Sequence, residues 1–190
     1  MMRLRISLLA LCSLFLLSEL AQAKPAQVLL IRHGEKPEGE EGRELSERGW
    51  ERARALPKLF QRAEFSQHGA PVALVGMAPK KKKKGSIRAL QTLKYVSEEM
   101  HLAVNSAYTD EDVSEMVSHV NETAAYDGKF VVICWNHDSM KDIAKAFGVK
   151  KAPKMPGESY DRAWLITPQE HGPSLLQDLP EKLLAGDSEQ

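Results

Sequence analysis

Four apolar residues in a row, Val28-Leu29-Leu30-Ile31, run directly into Arg32-His33-Gly34-Glu35-Lys36. A short unbroken apolar run suits a strand buried on both faces, and sheets covered on both faces are mostly parallel sheets packed between helices. The abrupt change of character puts an arginine, a histidine and a lysine at the carboxyl end of that strand, where open α/β sheets bind ligands. Alone, Arg-His-Gly is a weak signal. It gains weight from Ser86-Ile87-Arg88-Ala89-Leu90-Gln91-Thr92 and from Val131-Val132-Ile133-Cys134-Trp135-Asn136-His137-Asp138. These segments supply a second arginine and a second histidine, each beside a strand or helix terminus.

The rest of the chain alternates between strand-like and helix-like segments. Leu45 to Ala63 reads as a helix capped by Ser46, bent or split at Pro57. A strand over Pro71 to Met77 is followed by a helix from Ser86, as cap, to about Met100. Leu102 to Ala107 is a short strand candidate, and Asp110 to Ala125 a helix capped by Thr109. Asp127-Gly128 turns the chain into the β-branched run Phe130–Trp135. A helix from about Ser139 to Phe147 stops at Gly148. Ala163 to Thr167 reads as a last strand, Leu175 to Leu184 as a ragged terminal helix, and Gly186 to Gln190 as a frayed tail. The alternation predicts an α/β three-layer sandwich, a mostly parallel sheet flanked by helices on both faces. There is no internal repeat and no linker, so residues 24–190 are expected to form one domain.

Residues 1–23 are expected to lie outside that domain. Arg3 and Arg5 precede an apolar stretch from Ile6 to Leu17, and Ala21-Gln22-Ala23 is a small-x-small cleavage signal. This is the pattern of a secretory signal peptide cut after Ala23. The expected location is periplasmic or secreted, with no stable membrane anchor after cleavage. Cys12 leaves with the signal, so Cys134 remains, inside an apolar strand, as a buried inert thiol. Lys and Arg total 26 and so do Asp and Glu, which gives no global attraction to nucleic acid or anionic membranes. Any electrostatic recognition must be local.

The local chemistry points to phosphoryl groups. Hydrolysis of a phosphate monoester needs a nucleophile, positive charge around the equatorial oxygens and an acid for the leaving oxygen. His33 is the candidate nucleophile. It must attack as neutral imidazole, which neighbouring arginines favour, and its other ring nitrogen needs an acceptor such as a backbone carbonyl. Arg32 and Arg88 are placed to clamp phosphoryl oxygens in bidentate fashion, Arg88 in a helical first turn that itself favours anions. His137 is a further donor, and Lys36, Ser86 and Asn136 are candidate substrate contacts. Lys36 could instead pair with Glu35 or Glu38. His68, His101, His119 and His171 show no ligand spacing, so no metal and no cofactor is expected. Trp50 and Trp164 read as core residues. The run Lys80 to Lys84 is either a solvated loop or a patch that recruits an anionic substrate.

Arg32-His33-Gly34, Arg88-Ala89-x-Gln91-Thr92, and His137 at a strand end together resemble the histidine phosphatase superfamily, or phosphoglycerate-mutase-like fold. Leu45-Ser46-x-x-Gly49-x-x-Arg52-Ala53 is similar to the helix that follows the first motif in that family. The size resembles small secreted bacterial members. The resemblance implies a metal-independent phosphatase working through a phosphohistidine on His33, with Arg32, Arg88 and His137 lining the pocket. The expected partner is a small phosphorylated substrate, such as a phosphosugar or a phosphorylated surface polymer. Many small members carry glycine after the second histidine, whereas this chain has Asp138. His137-Asp138 resembles the acid-phosphatase pair whose aspartate donates the proton, which makes Asp138 the expected general acid. Its alternative role is to cap the helix before Ser139. Asp110, Glu111 and Asp112 are the competing donors, by similarity to mutase-like members. A phosphotransferase or mutase, and a non-catalytic binder of phosphorylated ligands, are the alternative functions.

Overall fold

The computed structural model describes residues 24–39, 42–80 and 85–189. The signal-peptide reading and Lys81 to Lys84 fall outside the described residues. Six strands form one sheet: β1 (Gln27–Arg32), β2 (Ala73–Gly76), β3 (Val104–Asn105), β4 (Phe130–Trp135), β5 (Arg162–Thr167) and β6 (Leu175–Pro180). Their order is β3-β2-β4-β1-β5-β6. The first four are mutually parallel, while β5 runs antiparallel to β1 and β6 antiparallel to β5.

The two continuous apolar runs became the two central strands for the expected reason. Every residue of β1 and of β4 is buried, which only a strand covered on both faces can be. The cover comes from α1 (Glu47–Ala55), α2 (Ala63–Ser66), α3 (Arg88–Met100), α4 (Val113–Glu122) and α5 (His137–Ala146). Right-handed crossovers from β1 to β2 and from β2 to β3 put α1 and α3 on one face; the return from β3 to β4 puts α4 on the other. α1 packs on α3, and α4 on α5. The predicted three-layer sandwich is therefore the observed one. Among the described residues no helix is long and apolar enough to cross a membrane.

Local chemistry sets several helix ends. Ser46 caps α1 by accepting from Gly49 N at 3.1 Å. Pro57 has no N–H to continue the ladder, so the chain tightens into a 3₁₀ segment, Leu56–Gln61, and the predicted long helix is split. Two predicted caps differ. Ser86 Oγ accepts from Arg88 N at 3.2 Å, but Ile87 occupies the cap position of α3. Thr109 does not cap α4; its N and Oγ1 both donate to Asp112 Oδ2 at 2.8 Å, and Asp112 sits at the cap position. α5 begins at His137, two residues before the predicted start, because Asn136 Oδ1 accepts from Ser139 N at 2.9 Å.

The C-terminal part needs two corrections. Leu175–Pro180 is an edge strand, not a helix. All six of its residues pair with β5, from Thr167 opposite Leu175 to Arg162 opposite Pro180. The open edge of β5 offers backbone partners that a short isolated helix could not match. Pro180 fits because it ends an edge strand. The predicted frayed tail is also held in place over residues 186–189. Asp187, with its side chain 3% exposed, reaches Arg52 at 2.8 Å. Trp164 and Trp135 are core residues, whereas Trp50 is only half-buried, edge-on to Tyr95. Cys134 is fully buried, and burial pushes its thiol up well beyond the usual range.

Candidate active site

The carboxyl ends of β1, β2 and β4 open into a cavity of about 350 Å³, room for a small phosphorylated head group. Register does much of the placing. Arg32 lies opposite Trp135 in the β1–β4 ladder, and His33 N donates to Trp135 O at 3.0 Å. The segments carrying His33 and His137 therefore leave the sheet side by side.

His33 is 4% exposed. Its Nδ1 lies 2.8 Å from Gly34 O, so with Nδ1–H donating to that carbonyl, Nε2 carries the lone pair. Burial, then Arg88, Arg32 and His137, hold its pKa down to about 4. At neutral pH the imidazole is uncharged, as a nucleophile must be. The loop behind it is braced. Gly34 N donates to Thr92 Oγ1 at 2.9 Å, and Leu45 N to Gln91 Oε1 at 2.8 Å. Thr92 and Gln91 thus tie the loops after β1 to the helix that carries Arg88. Gly34 and Gly49 make this close approach possible. A Cβ on Gly49 would stand 2.5 Å from Glu35 O, and one on Gly34 would stand 3.0 Å from Gly49 O.

Two arginines flank the imidazole. Arg32 is 2% exposed; its Nη1 donates to Gly157 O at 2.5 Å and Ser159 O at 2.9 Å. Its guanidinium lies 3.7 Å from the Tyr160 ring centroid. Arg88 Nη1 donates to Gly42 O at 2.5 Å. In both arginines Nε is buried without a hydrogen-bond partner. Both arginine side chains line the cavity, so their positive charge favours an anion held there.

His137 and Asp138 open α5 at the rim. His137 Nε2 is 3.3 Å from Asp138 Oδ1, and the aspartate side chain is 78% exposed. Burial and then Arg32 lower the His137 pKa. Asp138 is not the cap of α5; Asn136 is. Asn136 also donates from Nδ2 to Met77 Sδ at 3.2 Å, so its amide is committed to structure although the residue lines the cavity.

Lys36, Ser86 and Asp110 complete the predicted residues on the cavity wall. Lys36 makes neither of the pairs considered for it; Glu35 pairs with Arg48 and Arg52 instead. Lys80 also lines the cavity, held by Asp110 at 3.0 Å and Glu111 at 2.8 Å. Glu111 and Asp112 are not on the cavity wall: Glu111 faces Lys80 and Asp112 serves Thr109. Of the three acidic residues weighed as competing donors, Asp110 alone lines the cavity. Sequence reasoning missed Tyr160 and the Gly157 and Ser159 carbonyls. They sit more than 120 positions from Arg32, in a loop with no motif to announce them.

Neither a protein-family model nor a curated protein matches this sequence. Solved structures do. The protein histidine phosphatase SixA complexed with tungstate matches with a TM-score of 0.59 at 14% identity, over 82% of this chain and 97% of its own. SixA from Nakamurella multipartitia matches at 0.52 and 17% identity, over 84% of this chain and 98% of its own. SixA from Agrobacterium tumefaciens matches at 0.51 and 15% identity, over 82% and 98% respectively. At such identities the likeness speaks for architecture, and it establishes that this chain has the fold of the histidine phosphatases.

Proposed function

We propose that this protein is an exported, metal-independent phosphatase that hydrolyses phosphate monoesters through a phosphohistidine on His33. One observation carries the reading: a buried, neutral imidazole with Nε2 unprotonated shares one cavity wall with two arginines. In the first step His33 Nε2 attacks phosphorus and the P–O bond to the leaving group breaks. Arg32, Arg88 and His137 hold the equatorial oxygens as charge redistributes. The leaving oxygen takes a proton from Asp138, the acid beside His137 at the open rim, where a leaving group departs to solvent. In the second step water attacks the phosphorylated imidazole, the Asp138 carboxylate takes its proton, and inorganic phosphate and neutral His33 are released. Export rests on the sequence of residues 1–23, and the released protein should begin at Lys24.

The test uses purified protein with nitrophenyl phosphate, an alkyl phosphate and a phosphohistidine peptide, the last because SixA is a protein histidine phosphatase. Turnover with an acid-labile phosphoenzyme that His33→Ala abolishes supports the reading. Unchanged turnover in His33→Ala sinks it, phosphate binding without turnover identifies a binder, and transfer to an added alcohol in place of water identifies a transferase. Asp138→Asn should slow the alkyl phosphate far more than nitrophenyl phosphate, whose leaving group needs little protonation. If Asp110→Asn shows that pattern and Asp138→Asn does not, Asp110 is the donor.

A further inference from the structure

The largest buried charge cluster among the described residues lies outside the cavity. Arg52 on α1, with its side chain 3% exposed, meets three carboxyl groups: Glu35, Glu181 and Asp187, at 13%, 1% and 3% exposure. Its donors are fully used. Nε reaches the two Glu35 oxygens at 3.1–3.2 Å, Nη2 reaches Glu35 and Asp187 at 2.8 Å, and Nη1 reaches Asp187 at 2.9 Å and Glu181 at 3.1 Å. Such a cluster is weak ground for stability, since desolvating the ions consumes much of their attraction. What it supplies is position.

One segment it joins carries the site, and a second reaches the site through its own neighbours. Glu35 is two residues beyond His33, and its carbonyl accepts from Ser46 N at 2.9 Å. Asp187 belongs to Gly186-Asp187-Ser188-Glu189, which has no apolar side chain to bury and is held by polar contacts alone. Asp187 Oδ2 also accepts from Leu183 N and Leu184 N, at 2.9 and 3.0 Å. Ser188 N donates to Asp161 Oδ2 at 2.6 Å, and Asp161 O accepts from Glu181 N at 2.8 Å. Asp161 directly follows the loop whose Gly157 and Ser159 carbonyls and Tyr160 ring seat Arg32.

We propose that the 186–189 segment is a clasp that positions the phosphate pocket: Asp187, through Arg52 and Glu35, sets the loop after His33, and Ser188, through Asp161, sets the loop that seats Arg32. Asp187, Arg52 and Asp161 are positioning residues that act through His33 and Arg32. The geometric part stands on the contacts above; its catalytic consequence rests on the phosphatase reading.

The experiment compares the full chain with Asp187→Asn, Asp187→Glu and Asp161→Ala, by hydrogen exchange and by turnover of nitrophenyl phosphate. Asp187→Asn should raise exchange in both 33–36 and 157–161 while β1 and β4 keep their protection. It should lower kcat about tenfold or more with little change in KM, since small misplacements of catalytic groups act on the bound state. Asp187→Glu should recover part of kcat. Asp161→Ala, which removes one acceptor at a partly exposed site, should loosen 157–161 alone. Exchange changes confined to residues 183–189, or a rise in KM at constant kcat, would overturn the proposal. If Asp187→Asn unfolds, Asp161→Ala decides, and unchanged exchange at 157–161 overturns it. A parent without turnover whose variants still loosen both loops means that the clasp stands and the phosphatase reading falls.

Discussion

Gly49→Ala separates the geometry of the site from the stability of the fold. A Cβ at this position would stand 2.5 Å from Glu35 O, 3.0 Å from Glu35 N and 3.1 Å from Leu45 Cβ. Carbon–oxygen contacts settle near 3.3–3.6 Å, so α1 and the loop after His33 must part by about 1 Å. The neighbours are mostly backbone and have no rotamer to give. Overpacking of this kind costs about 1–3 kcal/mol, offset by about 1 kcal/mol because alanine suits a helix better than glycine. A net loss of about 1–2 kcal/mol should appear in urea unfolding. Turnover of nitrophenyl phosphate should fall by about a hundredfold, the scale of a misplacement of about 1 Å near the reacting atoms. Gly128→Ala is the control. Gly128 has φ +64° with nothing within 4 Å of a new Cβ, and it precedes β4, at the opposite end of the sheet from the site. Its left-handed strain should cost a similar 1–2 kcal/mol, roughly, with no effect on turnover. Parental turnover in Gly49→Ala, or equal losses of turnover in both variants, would refute the claim that this approach sets the position of His33.

Three further outcomes are expected. The His33 ring should titrate by NMR with a midpoint near 4, and because the unfolded chain binds that proton from about 6.5, stability should fall on acidification across this window; a midpoint at 6.5 would contradict the buried imidazole. Arg88→Lys should lose about 10²–10³-fold in kcat, close to Arg88→Ala, because an ammonium cannot hold Gly42 O and phosphate with one planar fork; near-parental turnover of the lysine variant would contradict it. Burial pushes the Glu181 carboxyl up to about 8, so its contribution to stability is full below about 4.5 and is lost as pH rises toward 8. Glu181→Gln should therefore match the parent near pH 5 and exceed it near pH 9 in urea midpoint, and a variant weaker at both would show that the charged form is the native one.

The central half of the molecule could be read from its sequence because its physics is local. Val28–Ile31 and Phe130–Trp135 announce doubly covered strands, and the residues at their ends fall at the site by register. Pro57 and Ser46 act within one turn of themselves, and their effects were legible too. What stayed hidden depends on distant partners. The spacing of Leu175, Leu176 and Leu179 suits a helix until the edge of β5 is present to pair with. Asp187 looks like tail chemistry until Arg52 is seen buried with three carboxyl groups around it. Asp112 serving Thr109, rather than the reverse, turns on loop conformation that residue types do not encode.

Lys24 sits at the pole of the domain away from the pocket: its N donates to Asp127 Oδ1 at 3.0 Å and its O accepts from Gly128 N at 2.9 Å, beside the start of β4. Six residues of strand, roughly 20 Å, separate that corner from His33. A linker, affinity handle or surface attachment joined ahead of Lys24 would consequently leave the pocket mouth facing outward. The protein could be immobilised through that end, packed densely on a support, and still present its pocket to bulky or surface-bound ligands without turning around.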